Sequence, residues 1–378
     1  MTIIADVVLL FAVSPFIYYL LAIFSAWRYF RSGRLENSTY TPPVSNLKPI
    51  HGTDPEAYEN FASFCRQDYP DYELLFCAGS PSDKVVPILE KLQRDFPQRR
   101  IRIIYRSSDG ASNDKVAKLA RLVEEASYEV LVFNDSDVRV DPDYLRTVVA
   151  PLARPGVGAV TCFYSSLSDT TLAANLHTIG MLSDFYAGLL VARQLDGVKF
   201  AIGKTIVARR ELIAGFGGYE KLQNRPGDDL LTGRLIAEQG FEVDLLPYTV
   251  QTVSGAFGFW DLLHKRLRWM VVMRHMRAGG HFGLLFTHGV MWTLLAMLVH
   301  PTRAVLIAYP AAYLILRAAM TWVIGHGLKQ KGVWRRMPLI PLWDGAAFLL
   351  WLASFTRNSI RWRKGEYYIR NGELVPAE

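Results

Sequence analysis

Cysteine is scarce in this sequence: the 378 residues include only Cys65, Cys77 and Cys162. Three cysteines cannot form the disulfide framework of a small secreted protein, and their spacing is not that of a zinc site. Charged side chains are also few, at 20% of the chain, whereas 51% of the residues are hydrophobic. This balance excludes a disordered chain, and the length is ample for two domains. We therefore expect reduced thiols in a protein that faces the cytoplasm.

A net charge is absent from the first three quarters of the chain. Residues 1–278 contain 31 basic and 31 acidic side chains, so the whole excess of +7 lies in residues 279–378. The pI of about 9.2 would otherwise suggest nucleic-acid binding. Because the basic part is also the most apolar part, we interpret the charge as a membrane-topology signal and expect no nucleic-acid partner.

Long apolar runs are the most prominent feature that is present. Each of them is close to the length that crosses a bilayer, and they are residues 3–27, 282–300, 304–325 and 338–356. The first run has no small-residue cleavage site after it, which predicts a membrane helix rather than a signal peptide. The last two runs contain charged residues or proline, namely Arg317, Pro341 and Asp344. We therefore expect three or four crossings, with one run re-entrant or interfacial as an alternative.

Basic residues indicate how the chain is oriented. Arg28, Arg31 and Arg34 follow the first apolar run. By the positive-inside rule the N-terminus lies outside and residues 28–278 lie in the cytoplasm.

Residues 44–250 alternate between strand-like and helix-like segments. The strand candidates are 44–50, 72–78, 101–105, 129–134 and 158–163, and the helix candidates are 55–66, 83–95, 114–126 and 142–152. This alternation predicts an α/β domain with a largely parallel sheet. Since ligands of such sheets bind beyond the carboxyl ends of the strands, functional residues are expected directly after strands.

The first candidate site is Asp135-Ser136-Asp137, which follows an apolar strand. Two carboxylates separated by one residue at a strand end can share a divalent cation with a diphosphate, and their hard oxygen ligands suit Mg²⁺ or Mn²⁺. An ordinary turn rich in aspartate is the alternative.

The second candidate site is the pair Asp228-Asp229, which follows Pro226-Gly227 and begins a helix that extends to about Glu238. An aspartate that caps this helix is the favoured interpretation of the segment by itself, although it accounts for only one of the two. In the functional interpretation, Asp229 is a general base that takes a proton from an attacking hydroxyl.

The third candidate site is a basic amphipathic helix over 264–277, just before the first C-terminal apolar run. Its cations can contact anionic lipid headgroups while its tryptophan lies at the membrane interface. The functional interpretation gives Arg268 a diphosphate to bind and makes Trp269 the wall of an acceptor pocket. Both interpretations can hold together.

These three sites together resemble the D, D, (Q/R)xxRW series of membrane-bound inverting glycosyltransferases with a GT-A domain. Further motifs resemble the ceramide glucosyltransferase family, and bacterial glycosyltransferases that act on hopanoids look similar. The motifs are Leu47-Lys48-Pro49-Ile50 with Gly52, Asp54 and Pro55; Phe61, Phe64, Asp68, Tyr69-Pro70 and Tyr72-Glu73; Asn113-Asp114-Lys115-Val116; Asp135 to Val140; Asp228 to Gly240; and Trp362 to Tyr367.

Two departures from the family pattern stand out. Lys265 occupies the position of the family's Gln or Arg, which keeps a cation but loses the planar fork for bidentate phosphate binding. The family's early donor-binding aspartate has no counterpart, because Arg100 lies near the aligned position. Asp83, after the second strand, is a substitute candidate for contact with the uridine.

The resemblance implies transfer of one sugar, glucose or N-acetylglucosamine, from a UDP-sugar to a lipid alcohol such as ceramide or a hopanoid, with inversion. It implies Asp229 as the base and Mg²⁺ or Mn²⁺ on Asp135 and Asp137. Donor-binding roles then fall to Lys115, Asn113, Asp83, Gly203, Lys265, Arg268 and Trp269. Ordinary interpretations are a solvated residue at a helix start for Lys115 and a turn for Gly203. A processive polysaccharide synthase and a non-enzymatic membrane scaffold are the rival classes.

The expected architecture is a cytoplasmic GT-A domain, Rossmann-like with a largely parallel sheet, held by one N-terminal and about three C-terminal membrane helices in a bacterial inner membrane. The expected segments are a membrane helix (1–30), the GT-A domain (36–263), the basic interfacial helix (264–280), the C-terminal membrane helices (281–356) and a basic tail (357–378).

Overall fold

A computed structural model describes residues 2–33, 39–107, 110–167, 171–253, 258–362 and 365–377. The chain begins with two helices, α1 (Thr2–Phe11) and α2 (Ser14–Ser32). Pro15 lies in the first turn of α2, where the missing N–H of proline is tolerated. Together the two helices form an apolar stretch, Ile3–Ser32, that is long enough to span a membrane. Arg34 lies outside the described residues.

A sheet of eight strands forms the centre of the following domain. The strands are β1 (Val44–Pro49), β2 (Tyr72–Ala78), β3 (Arg100–Tyr105), β4 (Val130–Phe133), β5 (Val138–Arg139), β6 (Val157–Ser166), β7 (Ile206–Arg209) and β8 (Glu242–Thr252), in the spatial order β3-β2-β1-β4-β7-β6-β8-β5. Strands β1 to β4 are mutually parallel, and β6 is parallel to β8. Strands β7 and β5 run antiparallel to their neighbours. The predicted α/β class and largely parallel sheet are confirmed.

Helices cover both faces of this sheet. They are α3 (Ala57–Cys65), α4 (Val86–Asp95) and α6 (Tyr144–Val149) on one face and α5 (Asp114–Glu125), α9 (Arg210–Gly215) and α10 (Asp228–Glu238) on the other. Two further helices, α7 (Leu172–Gly180) and α8 (Ala187–Asp196), pack mainly on N-terminal and C-terminal helices of the chain. Successive residues of β4 alternate between the two cores: Val130 and Val132 pack on the side of α3 and α4, whereas Leu131 packs on the side of α5 and α10. Burial on both faces explains why β4 is a continuous apolar run in the sequence.

The C-terminal third is mostly helical. It contains α11 (Phe259–Met276), α12 (Ala278–Gly283), α13 (Gly289–Val299), α14 (Arg303–Gly327), α15 (Val333–Arg336) and α16 (Ile340–Phe355). Arg303–Gly327 and Val333–Phe355 are long and apolar enough to cross a membrane, and Ala278–Thr287 with Gly289–Val299 forms a pair bent by 52°. The described residues thus contain three helices able to span a membrane, or four if the bent pair is one span, in agreement with the prediction. The bend, which marks a broken or re-entrant segment, falls in the apolar run 282–300. It does not fall in the two later runs, which contain the charged residues.

The charged residues of the membrane runs pair with one another. Arg317 of α14 binds Asp344 of α16 through two bonds of 3.0 and 2.6 Å, and Tyr313 donates to the same carboxylate at 2.8 Å. Arg317 also binds Asp184, in a π-helical segment (Met181–Tyr186) between α7 and α8. Because the charges satisfy each other inside the bundle, neither has to face lipid.

The structure changes two boundaries drawn from the sequence. Helix α11 begins at Phe259, five residues before the predicted 264. The tail, predicted only as basic, contains an antiparallel sheet of β9 (Ser359–Trp362), β10 (Gly365–Arg370) and β11 (Glu373–Pro376). Apolar residues of this sheet, including Ile369 and Leu374, pack on Val271 of α11. The tail therefore forms strands because it packs on α11. Its apolar pattern is too short to predict strands from the sequence. Arg363 and Lys364 of the tail motif lie outside the described residues.

Candidate active site

The turn after β4 carries Asp135 and Asp137 at the carboxyl end of the parallel strands. The preceding residue, Asn134, is buried and fixes this turn against the segment before β7. Its side-chain amide donates to the backbone carbonyl of Lys204 at 2.8 Å, and its amide oxygen accepts from Asn46 of β1 at 2.8 Å. The strand end and the segment around Lys204 are thereby held side by side.

Two lysines neutralise these carboxylates. The Lys204 ammonium lies 3.0 Å from Asp135 and 2.6 Å from Asp137, and the Lys115 ammonium lies 2.9 Å from Asp135 and 3.0 Å from Asp228. We call Lys115, Asp135, Asp137, Lys204 and Asp228 the lysine–aspartate cluster. The sequence analysis missed the roles of Lys204 and Asp228 in it, although both residues adjoin predicted site residues, Gly203 and Asp229.

The charges of the cluster stabilise one another. Burial by itself raises the pKa of the Asp135 carboxyl, but Lys115 and Lys204 outweigh it and hold the pKa below its ordinary value. Burial likewise lowers the pKa of Lys204, but Asp135 and Asp137 outweigh it and hold the pKa above its ordinary value. Asp135 and Lys204 are therefore both ionised at neutral pH.

A third lysine lies beneath the cluster. Lys48 of β1 is fully buried, donates to the backbone carbonyl of Asp135 at 3.3 Å and lies 3.4 Å from the centre of the Phe64 ring. Burial lowers the pKa of Lys48 to about 7. Next to it, Ser136 donates a hydrogen bond to Asp54. Both Lys48 and Asp54 belong to the first-strand motif that resembles the ceramide glucosyltransferase family. That motif could have identified them as site residues from the sequence.

The second predicted site lies at the start of α10. Gly227, with φ of 69°, occupies the N-cap position and makes no side-chain cap bond. The favoured interpretation of an aspartate cap is therefore wrong, because neither aspartate occupies the N-cap position. Asp228 binds Lys115, and the Asp229 carboxylate accepts hydrogen bonds from the backbone N–H groups of Gly203 and Leu230, both at 2.9 Å.

Asp229 has the properties of a base that works near neutral pH. Burial raises the pKa of its carboxyl to about 6, with a further contribution from the neighbouring Asp228 carboxylate. The two backbone N–H bonds orient the carboxylate without neutralising it. Such a carboxyl is ionised at pH 7 but holds a proton more firmly than an exposed aspartate does.

Two glycines allow Asp229 to lie where it does. A Cβ on Gly203 would lie 2.9 Å from the Asp229 carboxylate oxygen. A Cβ on Gly233 of α10 would lie 2.3 Å from the backbone of Phe200 and Ala201, so α10 touches this segment directly. The predicted site residue Gly203 is thus a close-approach glycine that presents its N–H to Asp229.

Asn113 and Asp83 have local structural partners. Asn113 caps α5 by accepting from the N–H of Val116 at 3.4 Å, and its amide donates to the carbonyl of Arg225 at 3.0 Å. Asp83 accepts from the N–H groups of Gly79 and Val85 in the loop after β2. In the described part of the chain the structure shows no contact between Asp83 and the lysine–aspartate cluster.

Helix α11 brings its cations to the same region. Lys265 lies 5.4 Å from the centre of the Trp269 ring, and burial, with repulsion from Lys204, lowers the pKa of Lys265 to about 7. Trp269 in turn packs on Phe185 at 5.9 Å, while Arg268 is half-buried on the same helix. The sequence analysis missed Arg266, because a cation next to Arg268 gives no sign that it points inward.

Arg266 is the buried cation of this helix. Its guanidinium lies 5.0 Å from the Trp269 ring and 4.9 Å from the Trp343 ring, and it donates to the carbonyl of His177 at 3.1 Å. Stacking between two tryptophans fixes α11 against α7 and α16. Arg266 therefore positions the helix that carries Lys265, Arg268 and Trp269.

A cavity opens beside the lysine–aspartate cluster. Its polar lining includes Asp137, Lys204, His177 and Lys265, and its apolar lining includes Met181, Leu182 and Leu328. Charged and apolar side chains thus meet beside the lysine–aspartate cluster.

A family model named Glycosyl transferase family 21 matches residues 7–375, which is almost the whole chain. The chain belongs to glycosyltransferase family 21. The resemblance to ceramide glucosyltransferases is thereby confirmed. Similar proteins include ceramide glucosyltransferase 1 of Caenorhabditis elegans, 22% identical over 63% of this chain and 51% of the relative. The beta-monoglucosyldiacylglycerol synthase of Synechocystis is 27% identical over 54% of this chain and 42% of the relative. The chain thus spans about half the length of the curated relatives it matches.

Among solved structures, the mannosyltransferase PcManGT of Pyrobaculum calidifontis, solved with GDP-mannose and Mn²⁺, is similar in fold. The TM-score is 0.58 and the identity 20%, and the match covers 92% of this chain and 98% of the neighbour. At this identity the likeness supports the glycosyltransferase fold of the chain.

Proposed function

We propose that this family 21 member transfers one sugar from a UDP-sugar to the hydroxyl of a membrane lipid, with inversion at the anomeric carbon. The observation that carries the proposal is the position of Asp229. Its carboxylate bonds to Gly203 at 2.9 Å, next to Lys204, and its neighbour Asp228 bonds to Lys115 of the lysine–aspartate cluster. A base and a group of charges suited to a diphosphate therefore lie at one edge of the sheet.

Asp229 would act as the general base. Inversion in one displacement needs a single base, which removes the proton of the acceptor hydroxyl as the oxygen attacks the sugar. The raised pKa of Asp229 suits this task, since the ionised form is present at neutral pH and accepts a proton more readily than an exposed aspartate would. The proton passes to the Asp229 carboxylate, and the bond between sugar and diphosphate breaks.

The residues that follow β4 fit a divalent cation. The Asp135 and Asp137 carboxylates converge on one point, where the Lys204 ammonium stands in for a cation. These two aspartates would hold Mg²⁺ or Mn²⁺, with the remaining positions filled by water and phosphate oxygens. Such an ion supplies neutralisation of the charge that develops on the leaving diphosphate. Lys115, Lys265 and Arg268 are the cations of this chain that would bind the diphosphate from the sides.

The acceptor would enter through the cavity. Its hydroxyl would extend past Lys204 toward Asp229, which binds the N–H of the adjacent Gly203. Its apolar part would contact Met181, Leu182 and Leu328. Trp269 supports the wall of the cavity through its contact with Phe185. The names of the relatives favour ceramide or diacylglycerol, a hopanoid is the alternative acceptor, and glucose or N-acetylglucosamine is the transferred sugar.

The membrane helices would hold this domain on the cytoplasmic side of a bacterial inner membrane. Arg28 and Arg31 lie at the end of α2, which by the positive-inside rule places that end in the cytoplasm. A nucleotide sugar is then available from the cytosol, while the lipid stays in the bilayer.

Mass analysis of the lipid product tests the proposal. The purified full chain in lipid nanodiscs is incubated with UDP-glucose or UDP-N-acetylglucosamine and with ceramide, diacylglycerol or a hopanoid polyol. We expect one hexose or one N-acetylhexosamine on one acceptor class, and no product from D229N. The exposed Asp196, which pairs with Lys199, gives the matched control D196N, which should keep full activity.

Two results would contradict the proposal. If no pair of donor and acceptor yields a glycolipid, the proposed sugar transfer to a lipid is wrong. A ladder of products with increasing numbers of sugars would identify a processive synthase instead.

A further inference from the structure

The Lys204 ammonium occupies the point that a shared metal ion would need. It lies 3.0 Å from the Asp135 carboxylate and 2.6 and 2.8 Å from the two oxygens of Asp137. Mg²⁺ or Mn²⁺ held by the same carboxylates would lie about 2.0–2.2 Å from their oxygens. The two positions overlap, so an ammonium and a metal ion exclude each other there.

We propose that Lys204 closes the metal site in the donor-free protein and that the donor diphosphate draws its ammonium away, so that metal and nucleotide bind cooperatively. This inference rests on the proposed function, because it requires a nucleotide diphosphate and a divalent cation. It assigns Lys204 a role in positioning the metal and the donor.

The contacts distinguish Lys204 from the other lysines of the cluster. Lys115 bridges Asp135 and Asp228, so it keeps a carboxylate partner when Asp135 turns to a metal. The carboxylates that bind Lys204 are Asp135 and Asp137, the two metal-ligand candidates. Metal binding therefore takes both carboxylate partners of Lys204 but only one of the two carboxylate partners of Lys115.

Charge explains why the nucleotide should help the metal. With a divalent cation on Asp135 and Asp137, both carboxylates are neutralised, and the Lys204 ammonium, whose side chain is 19% exposed, remains as an uncompensated positive charge. A charge that is largely removed from water is unfavourable unless it is paired. A bound diphosphate supplies the missing anion, so each ligand lowers the free energy of binding the other.

The backbone permits this exchange. The carbonyl of Lys204 accepts from Asn134 and the N–H of Gly203 donates to Asp229, so the main chain stays fixed on both sides. The four-carbon side chain of lysine can swing from the carboxylates toward a phosphate without moving that main chain.

Titration of Mn²⁺, followed by the EPR signal of the free ion, tests the proposal with the purified full chain in nanodiscs, with and without UDP. For the wild type we expect weak Mn²⁺ binding alone and a gain in affinity of about tenfold or more when UDP is present. K204M should bind Mn²⁺ alone about tenfold more tightly than the wild type. Its further gain from UDP should be smaller than that of the wild type, because only the direct contact between phosphate oxygens and the ion remains. K204R, which keeps the cation, should behave like the wild type. The matched control K199M replaces an exposed lysine and should leave both affinities unchanged.

The outcomes separate the two proposals. Equal Mn²⁺ affinity in the wild type and K204M, with UDP coupling intact, would overturn the role of Lys204 while leaving the proposed function in place. Absence of Mn²⁺ binding in the presence of UDP in every variant would contradict the metal-assisted function itself. K204Q repeats the test if K204M does not fold. In the wild type the coupling must also be reciprocal, so Mn²⁺ has to raise the affinity for UDP by the same factor.

Discussion

Replacing Asp229 with asparagine is expected to abolish sugar transfer and at the same time to stabilise the folded protein. The variant keeps the shape of the side chain but removes a half-buried negative charge that lies next to Asp228. Removal of a general base lowers the rate by about 10²–10⁴-fold. A residue that served only to hold the structure together would instead destabilise the fold when replaced.

The size of the stabilisation follows from the pKa of Asp229. Its value rises from 3.8 to about 6 on folding. Each pKa unit corresponds to about 1.4 kcal/mol, so ionisation of this carboxyl destabilises the folded state by about 3 kcal/mol. Asparagine can accept only one of the two backbone hydrogen bonds, from Gly203 and Leu230, and the loss of the other costs about 1 kcal/mol. The net gain at neutral pH is therefore about 2 kcal/mol.

The sign of the pH dependence is part of the prediction. Because the folded-state pKa of Asp229 lies above the unfolded value, its contribution to stability is complete below about pH 4 and is lost as the pH rises through about 6. The asparagine variant should therefore match or fall slightly below the wild type at pH 4.5 and exceed it at pH 8. For 378 residues the entropy of unfolding is about 0.8 kcal/mol per kelvin, so the difference in Tm at pH 8 is about 2–3 °C.

Intrinsic-fluorescence melting of both proteins between pH 4.5 and 8, together with UDP release at each pH, measures these effects. D196N, an exposed replacement, controls for the general effect of losing one carboxylate. An asparagine variant that keeps its activity, or whose Tm difference from the wild type does not change with pH, would refute the assignment of Asp229 as a half-buried base.

Three other predictions concern the base, its helix and the membrane helices. The kcat/KM of the wild type should rise about tenfold per pH unit up to about pH 6 and then level off, as the Asp229 carboxyl ionises. G233A should lower both the Tm and the rate of sugar transfer, because the added Cβ would lie 2.3 Å from neighbouring backbone atoms. Overpacking of this kind costs about 1–3 kcal/mol or more. The control G279A adds a Cβ in open space and should change neither quantity. R317M should lower the yield of monodisperse protein in size-exclusion chromatography, because an uncompensated Asp344 carboxylate destabilises the fold by about 3–5 kcal/mol. The double variant R317M/D344L removes that carboxylate as well and should restore part of the yield.

The elements that sequence reasoning predicted correctly depend on local pattern. Strands β2, β4 and β6 are mostly apolar runs. The bounds of β1 to β4 and β6 agree with the predicted ones to within a few residues. Placement of Asp135 and Asp137 at a strand end follows from the same pattern. The order of the strands in the sheet does not, because β7 enters between β4 and β6 through pairings that no local signal specifies.

The details of the site depend on long-range contacts. Asp228 and Asp229 look alike in sequence, yet one binds Lys115 and the other accepts from Gly203, more than twenty residues before it. An N-cap interpretation uses only the local helix start and therefore cannot separate them. Lys204 was visible as a neighbour of Gly203, but its contact with Asp137, 67 residues away, exists only in the folded chain.

The cavity connects the membrane helices to the site. Its lining combines Asp137 and Lys204 from the sheet edge, Lys265 from α11 and Leu328 from the end of α14. The π-helical segment Met181–Tyr186 supplies more of the wall, and its Asp184 is held by Arg317 from within the membrane bundle. A shift of α14 in the bilayer would therefore move two sides of the cavity together. Since helices of the membrane bundle supply part of this lining, we expect the sheet domain without them to lose the acceptor side of the proposed site.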